Sequence, residues 1–157
     1  PEQIWGAEAT LDIEATDRLT VGGVFTYQDG RFRDETGRRR LTTDRITPTR
    51  LTVYGQFRAD EDVQFRLQGT QSFARGGFAG GPFVPFGSYD YPDGNVPSFF
   101  ILDGQIEFDV GPGVLSLNAQ NLLNKRYFVP QIRATRDLFF ATFAEGARVA
   151  LQYQFRF

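Results

Sequence analysis

The stretch Ala147-Arg148-Val149-Ala150-Leu151-Gln152-Tyr153-Gln154-Phe155-Arg156-Phe157 alternates without a break. Its odd positions are all apolar, while its even positions are Arg, Ala or Gln. Successive side chains of a strand point to opposite faces, so this segment reads as a strand with one greasy face and one polar face. Six earlier segments repeat the pattern. Trp5, Ala7, Ala9, Leu11, Ile13 and Ala15 oppose Gly6, Glu8, Thr10, Asp12 and Glu14, and Leu19, Val21, Gly23, Phe25 and Tyr27 follow after Asp17-Arg18. Leu51, Val53, Gly55 and Phe57 alternate with Arg50, Thr52, Tyr54, Gln56 and Arg58. Val63, Phe65, Leu67, Gly69, Gln71 and Phe73 alternate with Gln64, Arg66, Gln68, Thr70 and Ser72. Phe100, Leu102, Gly104, Ile106, Phe108 and Val110 oppose Asp103, Gln105, Glu107 and Asp109; Leu115, Leu117 and Ala119 oppose Ser116, Asn118 and Gln120. None of the apolar faces carries a charge, and the charged residues of all seven segments lie on the opposite faces.

Connection lengths carry a second pattern. Asp17-Arg18, Ala59 to Asp62 and Gly111 to Gly113 are tight turns with the Asp, Gly and Pro chemistry that turns need. Between them lie long connections, Gln28 to Thr49, Ala74 to Ser98 and Leu122 to Gly146, so that short and long alternate. In an up-and-down meander this places the tight turns on one rim and the long loops on the other, as in outer-membrane barrels. Several segments run to about 9–11 residues, enough to cross a bilayer at a tilt of about 45°. Trp5, Tyr27, Phe73 and Phe100 fall toward the long-loop rim and Phe57, Phe65, Phe108 and Phe155 toward the other, which is where aromatic girdles meet headgroups. The reading is an all-β, antiparallel, up-and-down transmembrane β-barrel with about seven strands present. A soluble β-sandwich ligand binder is the alternative, since it alternates too. The alternating loop lengths and the Gly and Ala of the apolar faces, which would fill a soluble core poorly, weigh against it.

Composition narrows the function. The 157 residues include no Cys, His or Met and a single Lys, Lys125. Thiol nucleophiles, disulfides, Cys or His zinc sites and imidazole-based triads are therefore excluded from this stretch. No enzyme activity, resident cofactor or metal site is expected. Seventeen Lys and Arg against 19 Asp and Glu give a net charge of −2, which offers no footprint for nucleic acid. No apolar run is longer than the four residues Phe99 to Leu102 or Leu138 to Ala141, far short of the roughly 20 a membrane helix needs. The chain begins at Pro1, without an initiator Met or a basic and apolar targeting segment, and is expected to be either a matured protein or a piece of a longer one. Seven strands leave two open edges, and unpaired backbone groups in hydrocarbon cost several kcal/mol each. Residues 1–157 are thus expected to be the C-terminal portion of a larger barrel.

Asn121-Leu122-Leu123-Asn124-Lys125-Arg126-Tyr127 resembles the Asn-Leu-Phe-Asp-Lys-x-Tyr stretch near the C-terminus of TonB-dependent outer-membrane receptors. About twenty residues further on, Glu145-Gly146-Ala147-Arg148 resembles the family's Gly-Glu-Pro-Arg entry into the last strand, with Ala147 where Pro is usual. The terminal Phe157 resembles the aromatic end that outer-membrane assembly reads, and Ile4-Trp5-Gly6-Ala7-Glu8 resembles the family's Trp-Gly-x-Glu strand. The resemblance covers essentially the whole chain. It implies a barrel of about 22 strands, closed by a plug domain. It also implies a place in the bacterial outer membrane and import of a scarce nutrient, most often a ferric siderophore, with energy from TonB. Neither plug nor TonB box lies in this stretch, so the TonB complex would be met through another part of the protein. A passive porin-like channel is the alternative within the same architecture.

Candidate ligand contacts lie in the long connections. Phe83, Phe86, Tyr89 and Tyr91, with Arg75 beside them, would form an aromatic rim able to stack on an organic ligand. Arg133 and Arg136 with Phe139, Phe140 and Phe143 would meet an anionic, aromatic chelate, because guanidinium donates in a planar fork. Arg38-Arg39-Arg40 would touch outer-membrane lipid, through the phosphates of lipopolysaccharide. Self-packed or simply hydrated loops are the plainer reading of each.

Overall fold

The computed structural model describes residues 2–35, 37–41, 43, 45–76, 96–127, 129 and 144–155. Among the described residues eight strands form one antiparallel sheet: β1 (Glu2–Thr16), β2 (Leu19–Asp34), β3 (Gly37–Arg40), β4 (Arg50–Arg58), β5 (Val63–Ser72), β6 (Phe99–Val110), β7 (Gly113–Gln120) and β8 (Arg148–Phe155). The order is β1-β2-β4-β5-β6-β7-β8, a meander in which chain neighbours pair, and β3 pairs with the outer end of β2.

The register keeps like faces together. Leu51 lies between Phe25 and Gln71, Phe65 between Phe57 and Ile106, and Leu117 between Ile106 and Leu151. The apolar stripe is therefore continuous across the sheet. Among the described residues no second layer covers it: Leu11, Leu67 and Leu151 are 61%, 52% and 69% exposed. This is the arrangement of a lipid-facing wall and not of a sandwich, whose stripe would be buried between sheets. The small residues of the stripe serve as sockets. The Phe100 ring lies over Gly69, where a Cβ would come within 2.9 Å of it, and Leu122 lies over Gly104.

Among the described residues the buried side chains gather at one end. Leu41, Ile46, Val96 and Phe99, with Asp29, Thr43, Ser72, Arg75 and Asn121, make up the core, and all belong to the long-loop rim. The other rim is held by turn chemistry. Thr16 Oγ1 accepts the N–H groups of Arg18 and Leu19 at 3.2 and 3.0 Å, and Gly111 takes φ +57°, open to glycine at little cost.

The expected seven strands become eight. The connection from Gln28 to Thr49 opens with a continuation of β2 to Asp34, which turns through Gly37 (φ +126°) into β3. Period two gives no sign of β3, because Gly37-Arg38-Arg39-Arg40 has no apolar face; backbone pairing to β2 makes the strand. With 15 and 16 residues, β1 and β2 extend about 50 Å at ~3.4 Å per residue. At a tilt of about 45° they rise ~35 Å, beyond an apolar band of about 25 Å. Pairing of β2 with β4 ends at Thr26–Arg50, and further out β2 keeps β1 on one side and, from Arg31, takes β3 on the other.

Candidate functional site

The long-loop rim is built on two polar knots. In the first, Asp29 sits on the projecting part of β2. Arg40 Nε donates to both its oxygens at 3.0 and 3.1 Å, Arg75 Nη2 donates to Oδ1 at 2.9 Å, and the Gly30 N–H donates to Oδ1 at 2.9 Å. Burial raises the Asp29 carboxyl, but the two guanidinium hydrogen bonds and the backbone bond outweigh it and hold the group down at about 2. Arg75 also donates to the carbonyls of Leu41 (2.9 Å) and Gln28 (3.4 Å), and its own backbone bridges to Val96. One buried side chain thus ties the outward end of β5 to the base of the β2–β3 hairpin.

The second knot is the Asn121–Tyr127 segment. Asn121 and Asn124 both take left-handed φ, 49° and 47°, a conformation that Asn tolerates better than most residues. Asn121 Oδ1 accepts the Lys125 N–H at 2.8 Å, and its Nδ2 donates to the carbonyls of Lys125 (2.9 Å) and Glu145 (3.2 Å). The Asn121 N–H reaches Asp103 Oδ1 at 2.8 Å, and Asn124 Oδ1 accepts the Ala147 N–H at 3.0 Å. Together the two asparagines bind the end of β7 to the start of β8.

Tyr127 stacks on Phe99 with ring centroids 4.4 Å apart. Val96, Pro97, Ser98, Phe99, Lys125, Arg126 and Tyr127 enclose a cleft of about 170 Å³. Phe99 has the parity of Ile101 and Asp103, opposite that of the lipid-facing Phe100, so the cleft lies on the inner side of the wall. Burial and the nearby Asp103 charge push the Tyr127 hydroxyl up, so it stays protonated at neutral pH. The cleft offers one ammonium, one guanidinium, a hydroxyl and two rings: groups suited to a planar anionic ligand.

Below the rim the inner face is a hydrogen-bonded lattice. The Tyr54 hydroxyl donates to Asp12, and Arg66 lies 4.2 Å from the Tyr54 ring centre. Arg66 also donates to Gln56 and Gln68, each at 3.3 Å, and Glu107 accepts from Gln105 (2.9 Å) and Ser116 (3.4 Å). Amides, hydroxyls and rings satisfy these charged groups within the wall.

Of the contacts expected from sequence, Arg75 is placed inside the first knot, its guanidinium turned to protein partners. Phe83, Phe86, Tyr89, Tyr91, Arg133, Arg136, Phe139, Phe140, Phe143 and Phe157 lie outside the described residues. Asn121, Leu122, Asn124, Lys125 and Tyr127 come together at the second knot, with Leu122 on the lipid side. Arg126 and Phe99 were not singled out from sequence as site residues. For Phe99 the available signal was its parity: it is the ring at the mouth of β6 that falls on the polar face.

No family model matches the chain. Among solved structures it is similar to the copper transporter OprC, with a TM-score of 0.78 at 16% identity, over 99% of this chain and 24% of that one. It is also similar to the ferripyoverdine receptor of the outer membrane of Pseudomonas aeruginosa, solved with ferripyoverdine bound. There the TM-score is 0.67 at 14% identity, over 98% of this chain and 19% of the other. These likenesses show the fold: the sheet has the architecture of a segment of the β-barrels of those two proteins. The chain spans about a quarter or less of the length of these two proteins.

Proposed function

We propose that this chain is part of the wall of an outer-membrane active-transport receptor. The receptor captures a small ligand at its long-loop rim and imports it with energy from TonB. The observation that carries the reading is the pairing of an unbroken, uncharged, exposed stripe with an inner face of hydrogen-bonded polar side chains. Such a wall suits lipid on one side and a wet, protein-filled lumen on the other.

A ferric siderophore is the favoured ligand class. The Lys125, Arg126 and Tyr127 cleft supports it, and the sequence of the long connections, with Arg133, Arg136 and the rings of Phe83, Phe86, Tyr89, Tyr91, Phe139, Phe140 and Phe143, suits the same ligand class. Likeness to a copper transporter makes a bare metal ion the second reading. Within this stretch no His, Cys or Met is present to ligate copper, so a chelate held by cations and rings suits the residues better. The test is growth of a deletion strain on a panel of ferric siderophores as sole iron source, with and without TonB. The account expects lost growth on at least one siderophore, restored by the gene only when TonB is present. Restoration without TonB would assign a passive channel instead, and a phenotype confined to copper would overturn the siderophore.

A further inference from the structure

We infer that the cleft between the mouth of β6 and the Asn121–Tyr127 segment selects metal-loaded chelators over the same chelators without metal, through the direction of its hydrogen bonds. The inference deepens the receptor reading and rests on it. Chelators built on hydroxamic acids or catechols hold a metal through oxygens that are hydroxyls while empty. When a trivalent metal enters a trihydroxamic acid, three O–H bonds break, metal–oxygen bonds form at the same oxygens, and three protons leave to water. Net charge does not change, but hydrogen-bonding character does. Loaded oxygens only accept, whereas each empty hydroxyl also has a proton to place.

The cleft is rich in donors and poor in acceptors. Lys125 brings an ammonium and Arg126 a guanidinium, and neither can accept. Among the described residues neither has a carboxylate partner, and no carboxylate lines the cleft. The carboxylates nearby are engaged: Asp103 Oδ1 accepts the Asn121 N–H, and Glu145 holds Arg148. Backbone acceptors around the cleft are engaged too. The Val96 carbonyl accepts the Arg75 N–H at 3.0 Å, that of Lys125 accepts Asn121 Nδ2 at 2.9 Å, and that of Tyr127 accepts the Ala144 N–H at 2.8 Å. The Tyr127 hydroxyl stays protonated and its ring is fixed on Phe99, so it adds a third donor; Ser98 both donates and accepts. A loaded oxygen meets these donors in charge-assisted bonds, about twice as strong as neutral ones. An empty hydroxyl accepts more weakly and lacks a partner for its own proton, which is how a polar site rejects the wrong analogue.

The experiment uses the full-length receptor, purified in detergent, with the variants R126Q and R126K beside wild type. Calorimetry measures binding of a cyclic trihydroxamate and of a triscatecholate, each empty and each loaded with gallium(III), a redox-inert stand-in for ferric iron. At about tenfold for each of the cations Lys125 and Arg126, wild type should bind a gallium complex about 100-fold more tightly than its empty form. In R126Q the amide oxygen can take a hydroxyl proton, so the empty form should bind about tenfold more tightly than it does to wild type. R126K only donates, as arginine does, and should keep the wild-type preference. Equal affinity of wild type for loaded and empty forms would overturn the inference and leave the receptor reading standing. An R126Q that weakens the loaded form and leaves the empty one unchanged would also overturn it, since that is selection by charge alone. Binding of neither gallium complex would overturn the chelate reading itself, and the inference with it.

Discussion

Arg75 and Asn121 are the two residues on which the rim turns, and sequence reveals them unequally. Asn121 opens a recognisable motif, whose signal is a run of turn-forming polar residues after a strand. Arg75 neighbours aromatic loop residues and so reads as a ligand contact, yet its partner Asp29 is 46 positions away, a pairing no local pattern encodes. Asn121→Ala removes bonds to Lys125 and Glu145 and puts a Cβ-bearing residue without a polar side chain at φ 49°. At about 1 kcal/mol per hydrogen bond, a loss of about 2–3 kcal/mol follows, read by urea unfolding of the full receptor in lipid. Asn121→Gly keeps the backbone conformation and should still lose about 2 kcal/mol; full stability of the glycine variant would show that the bonds contribute little.

For Arg75→Ala the expectation is a loss of about 2–4 kcal/mol, because a buried partner of Asp29 disappears while Arg40 remains. Ligand affinity lost without any loss of stability would instead make Arg75 a contact residue. The Asp29 carboxyl is depressed in the folded state, so it binds its proton less readily there than in the unfolded chain. Its contribution is present above the unfolded value near 3.8 and fades as pH falls toward about 2. Comparing wild type with Asp29→Asn, the stability difference should be constant from pH 7 to 5 and shrink between pH 4 and 2. A difference that vanished already at pH 6 would contradict the clamp.

Strands are the scale at which the sequence is most legible. Period two marks β1, β2, β4, β5, β6, β7 and β8, because each must hold one face against hydrocarbon and cannot carry a charge there. That constraint lapses above the girdle, and with it the pattern: β3 has arginines on both faces and follows β2 only through backbone pairing. The same logic yields a position-specific prediction on β5. Leu67→Arg puts a charge on the stripe near mid-wall, where the penalty is about 2–4 kcal/mol. Gln68→Arg, one residue on, turns to the inner lattice and should change stability by less than about 1 kcal/mol. Unfolding in vesicles measures both, and equal penalties would mean that the two faces do not differ in solvent.

Across the molecule, the described residues form an open sheet whose outer strands, β1 and β8, each have one neighbour. In a bilayer those edges must be paired with further strands, since every backbone group in hydrocarbon needs a partner. The alignment with about a quarter or less of two larger barrels agrees with that need. Lipid outside and water inside is the claim from which the rest descends. This stretch contains no cysteine, so single cysteines at Leu67, Gln68, Leu151 and Gln152 in a receptor otherwise free of them can carry a fluorophore. With the labelled receptor in vesicles, quenchers attached to lipid chains should dim the labels at 67 and 151 and spare those at 68 and 152. Water-soluble quenchers should do the reverse. Labels at 67 and 151 that respond to the aqueous quencher, with 68 and 152 shielded from both, would place the stripe in a protein core and contradict the account.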